Sequence, residues 1–425
     1  MPLLQLFEKL LFPRYIDRGT AKHAPEKEQT PPMMTEKVYF ARCTSYEPEE
    51  LRRALGLALA PLLDAEGGAA GKNILIKPNW LSWRRDDDPA STHPALLIET
   101  ARFFREAGAA RIAVMETPGT LSAEAVAATM KLPEKLAPLG VEIRNFQRYE
   151  AVEPPAGAVF RRIELATDFR EFDLVVNLAK GKTHCMMTLT LAVKNLFGFV
   201  RGAERIAWHL SVGNNYGRFA DMLLDLYLTV RPRINLLDAV VCMEGNGPGS
   251  GTPRRGDFLA ASADALALDL AAARIFGVTA IPQLERAAAR GLLVEPEAVG
   301  ELPPPVPLEM PPADSGNSNR LAFGLPETIQ KPLRRFFVAN PTLNPARCIG
   351  CGLCARVCPP KSLAMKQRYG GKERPRFRLG SCIRCYCCQE HCPCGAIYAR
   401  RPFLLRAAGA IERRLRRLAG ILRTR

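Results

Sequence analysis

Eight of the chain's thirteen cysteines fall into two runs with one spacing, C-x2-C-x2-C-x3-C-P: Cys348, Cys351, Cys354 and Cys358, then Cys382, Cys385, Cys388 and Cys392. Three closely spaced thiolates grip three corners of an iron–sulfur cubane, and in the paired arrangement the fourth cysteine of each run ligates the other cluster. The spacing therefore predicts two 4Fe–4S clusters. Cys348, Cys351, Cys354 and Cys392 would hold the first, and Cys382, Cys385, Cys388 and Cys358 the second. Zinc is the competing ion, but a zinc ribbon needs only two C-x2-C pairs, and each run here adds a third cysteine and a Cys-Pro. Cys387 and Cys394 exceed the pattern and read as small buried thiols, while Cys43, Cys185 and Cys242 are scattered. Cysteines in ligand spacing point to metal chemistry in a reducing compartment rather than to disulfides.

A second group of residues could handle protons and anions. In "NLAKGKTHCMMTLTLAVKNLFGFVRG" a buried strand is expected to end at Leu178, with Lys180, Lys182, Thr183 and His184 beyond it and Lys194 and Asn195 further on. Open α/β sheets bind ligands beyond the carboxyl ends of their strands. Lysines there suit an anion such as a carboxylate or phosphate. A lysine among other cations also loses its proton more readily and can act as a base or imine former. His184 is the side chain of this group that titrates near neutrality. His184, Lys182 and Lys194 are accordingly the candidate catalytic residues. Lys77 and Asn79 end another strand, His93 begins the next helix, and Glu244 and Asn246 end a third strand at the glycine-rich "EGNGPGSG". With Lys180 and Asn195 they make the candidate ligand-binding set. Taken singly, His93 reads as a cap, the lysines as solvated and Glu244 as a loop cap. The glycine loop is neither a Walker loop nor a dinucleotide fingerprint, since Ser250 stands where the last glycine would be.

The elements that must position these residues follow from hydrophobic periodicity. "EKVYFARC", "KNILIKPNW", "RIAVME", "FDLVVNLA", "INLLDAVVCMEG" and "DFLAASAD" read as strands. "EELRRALGLALAPLL", "HPALLIETARFFREAG", "FADMLLDLYLTV" and "ALALDLAAARIFG" read as helices, the second capped by Thr92 or His93 with Pro94 in its first turn. Their alternation predicts an α/β fold, an open, mostly parallel sheet domain over 36–298. A leader precedes it over 1–35, in which Met33 or Met34 is an alternative start. A proline-rich linker is expected over 299–340, the cysteine module over 341–401, and a tail over 402–425. The module resembles a bacterial two-cluster ferredoxin domain, which implies a small α+β fold and single-electron transfer at low potential. Arg347, Arg356 and Arg384 beside its ligands are expected to raise that potential.

The upstream motifs "ILIKPNW", "STHPALLIETARFFREAGAARIAVMETPG", "LVVNLAKGKTH", "LAVKNLFG", "INLLDAVVCMEGNGPGSGTPR" and "LAASADALALD" resemble the family called domain of unknown function 362, over about Lys37 to Val278. By that match Lys77, Asn79, His93, Lys180, Lys182, His184, Lys194, Asn195, Glu244 and Asn246 fall in family motifs. The resemblance implies an α/β domain fused to an iron–sulfur module, and implies little about activity.

Formal net charge is +16, which favours acidic partners. Part of the excess is local, for Arg400 to Arg425 holds nine arginines and one acid. That tail has helical spacing and suits an anionic membrane surface or an acidic protein. Nucleic acid is not expected, because no aromatic residues interleave with the basic ones. "MPLLQLFEKLLFPRY" is too short and too charged for a secretory signal, and no apolar run approaches the roughly 20 residues of a membrane span. The chain reads as cytoplasmic, with a peripheral place at the inner membrane face if the tail binds lipid. The function expected is an iron–sulfur redox protein with a redox partner protein and an anionic small-molecule ligand, acting as a reductase. Two alternatives stand beside it: a non-catalytic electron-transfer or cluster-handling protein, and an acid–base or ligating enzyme with structural or sensory clusters.

Overall fold

The computed structural model describes residues 34–81, 88–118, 121–202, 204–205, 208–209, 215–311, 340–367 and 373–400. The apolar runs form strands β1 (Thr35–Arg42), β2 (Asn73–Lys77), β3 (Arg111–Glu116), β4 (Val141–Asn145), β5 (Tyr149–Val152), β6 (Ile163–Ala166), β7 (Leu174–His184), β8 (Thr188–Thr190), β9 (Ile234–Glu244), β10 (Thr252–Ser262) and β11 (Glu295–Gly300). Among the described residues nine of them make one sheet, ordered β11-β1-β10-β9-β7-β2-β3-β4, with β8 folded back on β7. From β9 through β7, β2 and β3 to β4 the pairing is parallel, while β10 runs antiparallel to both of its neighbours. The sheet is thus mostly parallel, as the strand–helix alternation predicts. β5 and β6 form a separate hairpin.

Helices cover both faces because alternate strand residues point to opposite sides. Leu51, Leu55 and Leu59 of α1 (Pro48–Ala65) and Leu97 and Phe104 of α2 (Pro94–Glu106) meet Ile74, Ile76, Val176 and Leu178 on one face. The short helices α3 (Ala123–Thr129) and α4 (Leu132–Leu136) complete that layer. The other face buries Leu75, Val175 and Ala179 against α5 (Ala192–Asn195), α6 (Tyr216–Val230), α7 (Ala265–Ile275) and α8 (Pro282–Ala289). His93 caps α2 by accepting from the Ala95 amide at 3.2 Å, ahead of Pro94.

The proline-rich segment differs from a free linker in its first third. β11 pairs with β1, and beyond it Val306 and Leu308 are buried, their amides donating to Ile275 and Phe276 carbonyls at 2.8 and 3.2 Å. Alternate side chains of an extended strap can bury even where prolines exclude helix. Residues 312–339, the leader but for its last two residues, and the tail after 400 lie outside the described residues. The cysteine module pairs β12 (Asn340–Leu343) with β15 (Ile397–Arg400) and β13 (Leu363–Gln367) with β14 (Glu373–Phe377), and carries α9 (Leu353–Arg356) and α10 (Cys387–Glu390).

Candidate functional site

β7 does not stop at Leu178. It continues through Lys180, Lys182, Thr183 and His184, all buried, so these are strand residues rather than the rim of an open crevice. The strand extends because β8 and β9 supply backbone partners on both sides, Lys182 facing Thr190 and Met243. Two of the lysines are neutralised. Lys180 Nζ donates to Asp238 Oδ2 at 2.8 Å and to the Tyr46 hydroxyl at 3.0 Å. The Tyr46 hydroxyl donates to Asp238 Oδ1 at 2.8 Å, its ring stacks on His93 at 3.6 Å, and the His93 amide donates to Asp238 Oδ2 at 3.1 Å. Burial, with Asp238 beside it, holds the Tyr46 phenol well above its ordinary range. Lys77 Nζ lies 2.6 Å from Glu116 Oε2. Gly198 is needed there, since a Cβ at that position would stand 2.1 Å from Glu116 Oε1. The expectation of Lys180, Lys182 and Lys194 open to an anion is therefore corrected at Lys180, which like Lys77 is buried in an ion pair. Asp238 and Glu116 went unnoticed in the sequence, where each carries only the faint signal of an acid within or ending an apolar run.

Lys182 joins a chain of amides. Its Nζ donates to Asn79 Oδ1 at 2.7 Å and to the Ala90 carbonyl. Asn79 Nδ2 donates to Asn195 Oδ1 at 2.8 Å, Asn195 Nδ2 to Asn177 Oδ1 at 2.8 Å, and Asn177 Nδ2 to Asn235 Oδ1 at 2.9 Å. Asn195 is delivered by α5, whose first turn is held by Asp269 accepting the Ala192 and Val193 amides at 2.7 and 3.2 Å. Burial pushes the Asp269 carboxyl up to about 8. Of the candidate set, Lys77, Asn79, Lys182 and Asn195 are thus brought together. His93 and Lys180 meet at Asp238, and Glu244 and Asn246 lie elsewhere.

His184 and Lys194 form a different pocket of charge. His184 Nδ1 accepts the Met186 and Met187 amides at 3.0 and 3.2 Å, so the neutral ring carries its proton on Nε2. Among the described residues that buried Nε2 has no hydrogen-bond partner. Burial, with Lys194 and Lys182 near, holds the imidazole well below its ordinary range. His184 is therefore a neutral N–H donor at pH 7, which corrects the reading of a group titrating near neutrality. Burial also lowers the Lys194 ammonium below its ordinary range, against Glu390, which favours the charge. Among the described residues no carboxylate lies within ion-pair distance of Lys194. His209, likewise buried, is lowered to about 4. Lys194, His184 and His209 all share Glu390 as an electrostatic neighbour, and the Lys194 charge leads those that hold that carboxyl low against its burial. Glu390 belongs to α10 and was absent from the candidate set.

The module docks through that same helix. Gln389, fully buried, donates from Nε2 to the Asn246 carbonyl at 2.7 Å, and its Oε1 accepts from Cys185 Sγ at 3.2 Å. Asn246 Oδ1 accepts the Ala399 amide at 3.2 Å, and Ser250 Oγ donates to the Ile397 carbonyl at 2.7 Å. The glycine-rich loop is thus the berth of the module. Glu244 Oε2 accepts the Glu309 amide at 3.0 Å, tying the strap. The loop crosses Thr183 so closely that a Cβ on Gly247 would stand 1.9 Å from its carbonyl oxygen.

Inside the module the cysteines surround two cavities. One is lined by Cys358, Cys382, Cys385 and Cys388; the other by Cys348, Cys351, Cys354 and Cys392, with Cys394 at its wall. Four soft thiols line each cavity, the donor set that a cubane takes, with the last cysteine of each run crossing to the other cage. Burial pushes the Cys354 thiol up to about 12, so its thiolate form depends on the positive charge of a metal. Arg384 donates to the Cys382 carbonyl at 2.9 Å beside the second cage.

Comparison with known proteins agrees with this architecture. Residues 74–274 match the domain of unknown function DUF362, and residues 347–396 match a 4Fe-4S dicluster domain. The thylakoid-associated protein sll1697 of Synechocystis sp. is 31% identical over 323 residues, spanning 72% of this chain and 96% of that protein. The chain belongs to the DUF362 family. It joins the DUF362 domain to a ferredoxin-type module and is an iron–sulfur protein. The lactate racemase apoprotein of Thermoanaerobacterium thermosaccharolyticum aligns with a TM-score of 0.38 at 14% identity, over 61% of this chain and 60% of that one. That likeness is too slight to carry an argument. Among the described residues no helix is long and apolar enough to cross a membrane.

Proposed function

We propose that this chain is a reductase in which two 4Fe–4S clusters serve a ligand site at His184 and Lys194. The first cluster is assigned to Cys348, Cys351, Cys354 and Cys392, and the second to Cys382, Cys385, Cys388 and Cys358. One observation carries the reading. The helix of the second cysteine run is seated on the DUF362 domain beside His184: Gln389 Oε1 accepts from Cys185 Sγ at 3.2 Å and its Nε2 donates to the Asn246 carbonyl at 2.7 Å. When bound, the clusters supply single electrons at low potential.

The side chains define the rest of the chemistry. The His184 Nε2–H is placed to hydrogen-bond an oxygen, polarising it as a neutral imidazole does where a cationic one is excluded. Lys194, with its lowered ammonium pKa, suits proton delivery and contact with an anionic group. With Lys77 and Lys180 held by Glu116 and Asp238, that contact falls to Lys194. The reaction class is reduction of a polarised double bond, taking two electrons and two protons, one proton from Lys194 and one from water. Lys182 then acts by holding Asn79 and Asn195 in place rather than by touching the ligand.

Anaerobic purification should yield about eight iron and eight sulfide per chain. A screen of small carboxylates and carbonyl compounds should find ligands that change the electron paramagnetic resonance signal of the reduced protein, and His184→Ala should abolish that response with iron content intact. Unchanged response or turnover in His184→Ala would remove the assigned role. For the basic segment 402–425 we propose attachment to an anionic membrane surface, a reading in keeping with the name of the Synechocystis relative. Equal pelleting with vesicles, with and without 402–425, would dispose of it.

A further inference from the structure

The two cages differ in what surrounds them. The second is covered by the DUF362 domain: Tyr386 is buried against Cys185, Gln389 is gripped by the glycine loop, and the buried Tyr216 hydroxyl has Cys385 among its electrostatic neighbours. The first cage meets solvent. Cys351 is the exposed cysteine of the chain, and Ile349 beside it is 53% exposed.

The module that carries Cys351 is basic. Residues 340–400 hold eleven lysines and arginines against two acids. One of those acids, Glu390, faces the DUF362 domain, which leaves Glu373 outside. Arg347 precedes Cys348, and Arg356 ends α9. Lys366 and Arg376 flank Met365 and Pro375, which line the first cavity. All four of these cations are exposed. An apolar tip at a solvent-facing cage, on a module whose exposed charges are mostly cationic, is complementary to an acidic protein carrying its own redox centre near the surface.

We propose that the Cys351–Ile349 face is where an acidic ferredoxin-type carrier docks and hands over electrons, which then pass inward toward the DUF362 domain. The proposal rests on the cluster assignment above. At each docking the carrier would give up one electron to the cluster that Cys348, Cys351, Cys354 and Cys392 would hold, and no covalent bond changes. The excess of cations in residues 340–400 thereby acquires a directional role: it draws the carrier to one end of a path whose other end is buried.

The test uses the full-length, cluster-loaded protein and an acidic two-cluster ferredoxin as probe. Affinity is measured with the oxidised probe, and transfer by stopped flow with the reduced one. The double variant Arg347→Glu/Arg376→Glu should lose about tenfold in both, and the wild-type affinity should fall steeply with added salt. A control, Arg161→Glu/Arg162→Glu on the exposed hairpin loop of the DUF362 domain, should bind as the wild type does. All forms should be reduced equally by dithionite, with equal iron. Equal affinity in all forms, equal loss in the control, or displacement of the probe by phosphatidylglycerol vesicles would overturn the proposal while leaving the cluster reading intact. A wild-type chain without iron and sulfide would overturn both.

Discussion

His209 shows how burial sets the acid limit of this protein. Its imidazole is buried between Phe197 and Phe219, stacked on the latter at 5.1 Å, and drops from 6.5 to about 4. An unfolded chain takes up this proton below about pH 6.5, whereas the folded chain refuses it until about pH 4. Stability from the neutral ring is therefore complete above 6.5 and declines as pH falls through that window, by up to about 3 kcal/mol. His184 acts in the same direction. His209→Phe keeps the ring packing and should flatten the pH dependence of the denaturation midpoint between 6.5 and 4; an unaltered slope would mean that the imidazole is solvated. Beside the Lys77 ion pair, Gly198→Ala would drive a methyl against Glu116 and Lys77. Leaving those charges buried and apart should cost about 3–5 kcal/mol in denaturant titration, and a loss under about 1 kcal/mol would show that the pair moves aside.

Among the elements, α5 depends on a distant residue. It is one turn long, too short to stand by itself, and Asp269 of α7 holds its first amides. Asp269→Ala should cost about 1–2 kcal/mol and weaken any ligand response that requires Lys194, whereas Asp269→Asn should retain most of both. If Ala and Asn behave alike in thermal melts, the capping role fails. The limits of sequence reading lie in the same elements. β2, α2 and β3 were legible because their apolar residues recur at strand and helix periods and because His93-Pro94 marks a helix start. β7 was legible only to Leu178. Lysines alternating with glycine and threonine read as a solvated loop, since the acid that makes Lys180 tolerable inside is Asp238, 58 residues away on a neighbouring strand. Nothing in either segment alone encodes their register. Glu390 was hidden differently: its partners belong to the other domain, and no local pattern announces a docking surface.

At the scale of the whole molecule, the cysteine spacing announced the module, but not where the module rests. Gln389 makes that contact specific, filling the gap between Cys185 and the Asn246 carbonyl. Gln389→Ala should leave iron content unchanged and raise amide hydrogen exchange at Ala399, whose N–H is held by Asn246. Unaltered protection would mean that the berth does not depend on this side chain. The strap adds a further consequence. The Glu309 carbonyl accepts the Gly245 amide and the Glu309 amide is held by Glu244, so the polypeptide leaves the sheet domain at the very loop that receives the module. A tethered partner anchored beside its own socket experiences a high effective concentration. Brief detachment should be followed by recapture at the same place long before an outside competitor arrives, so the electron path is insured by connectivity as much as by the strength of any single contact.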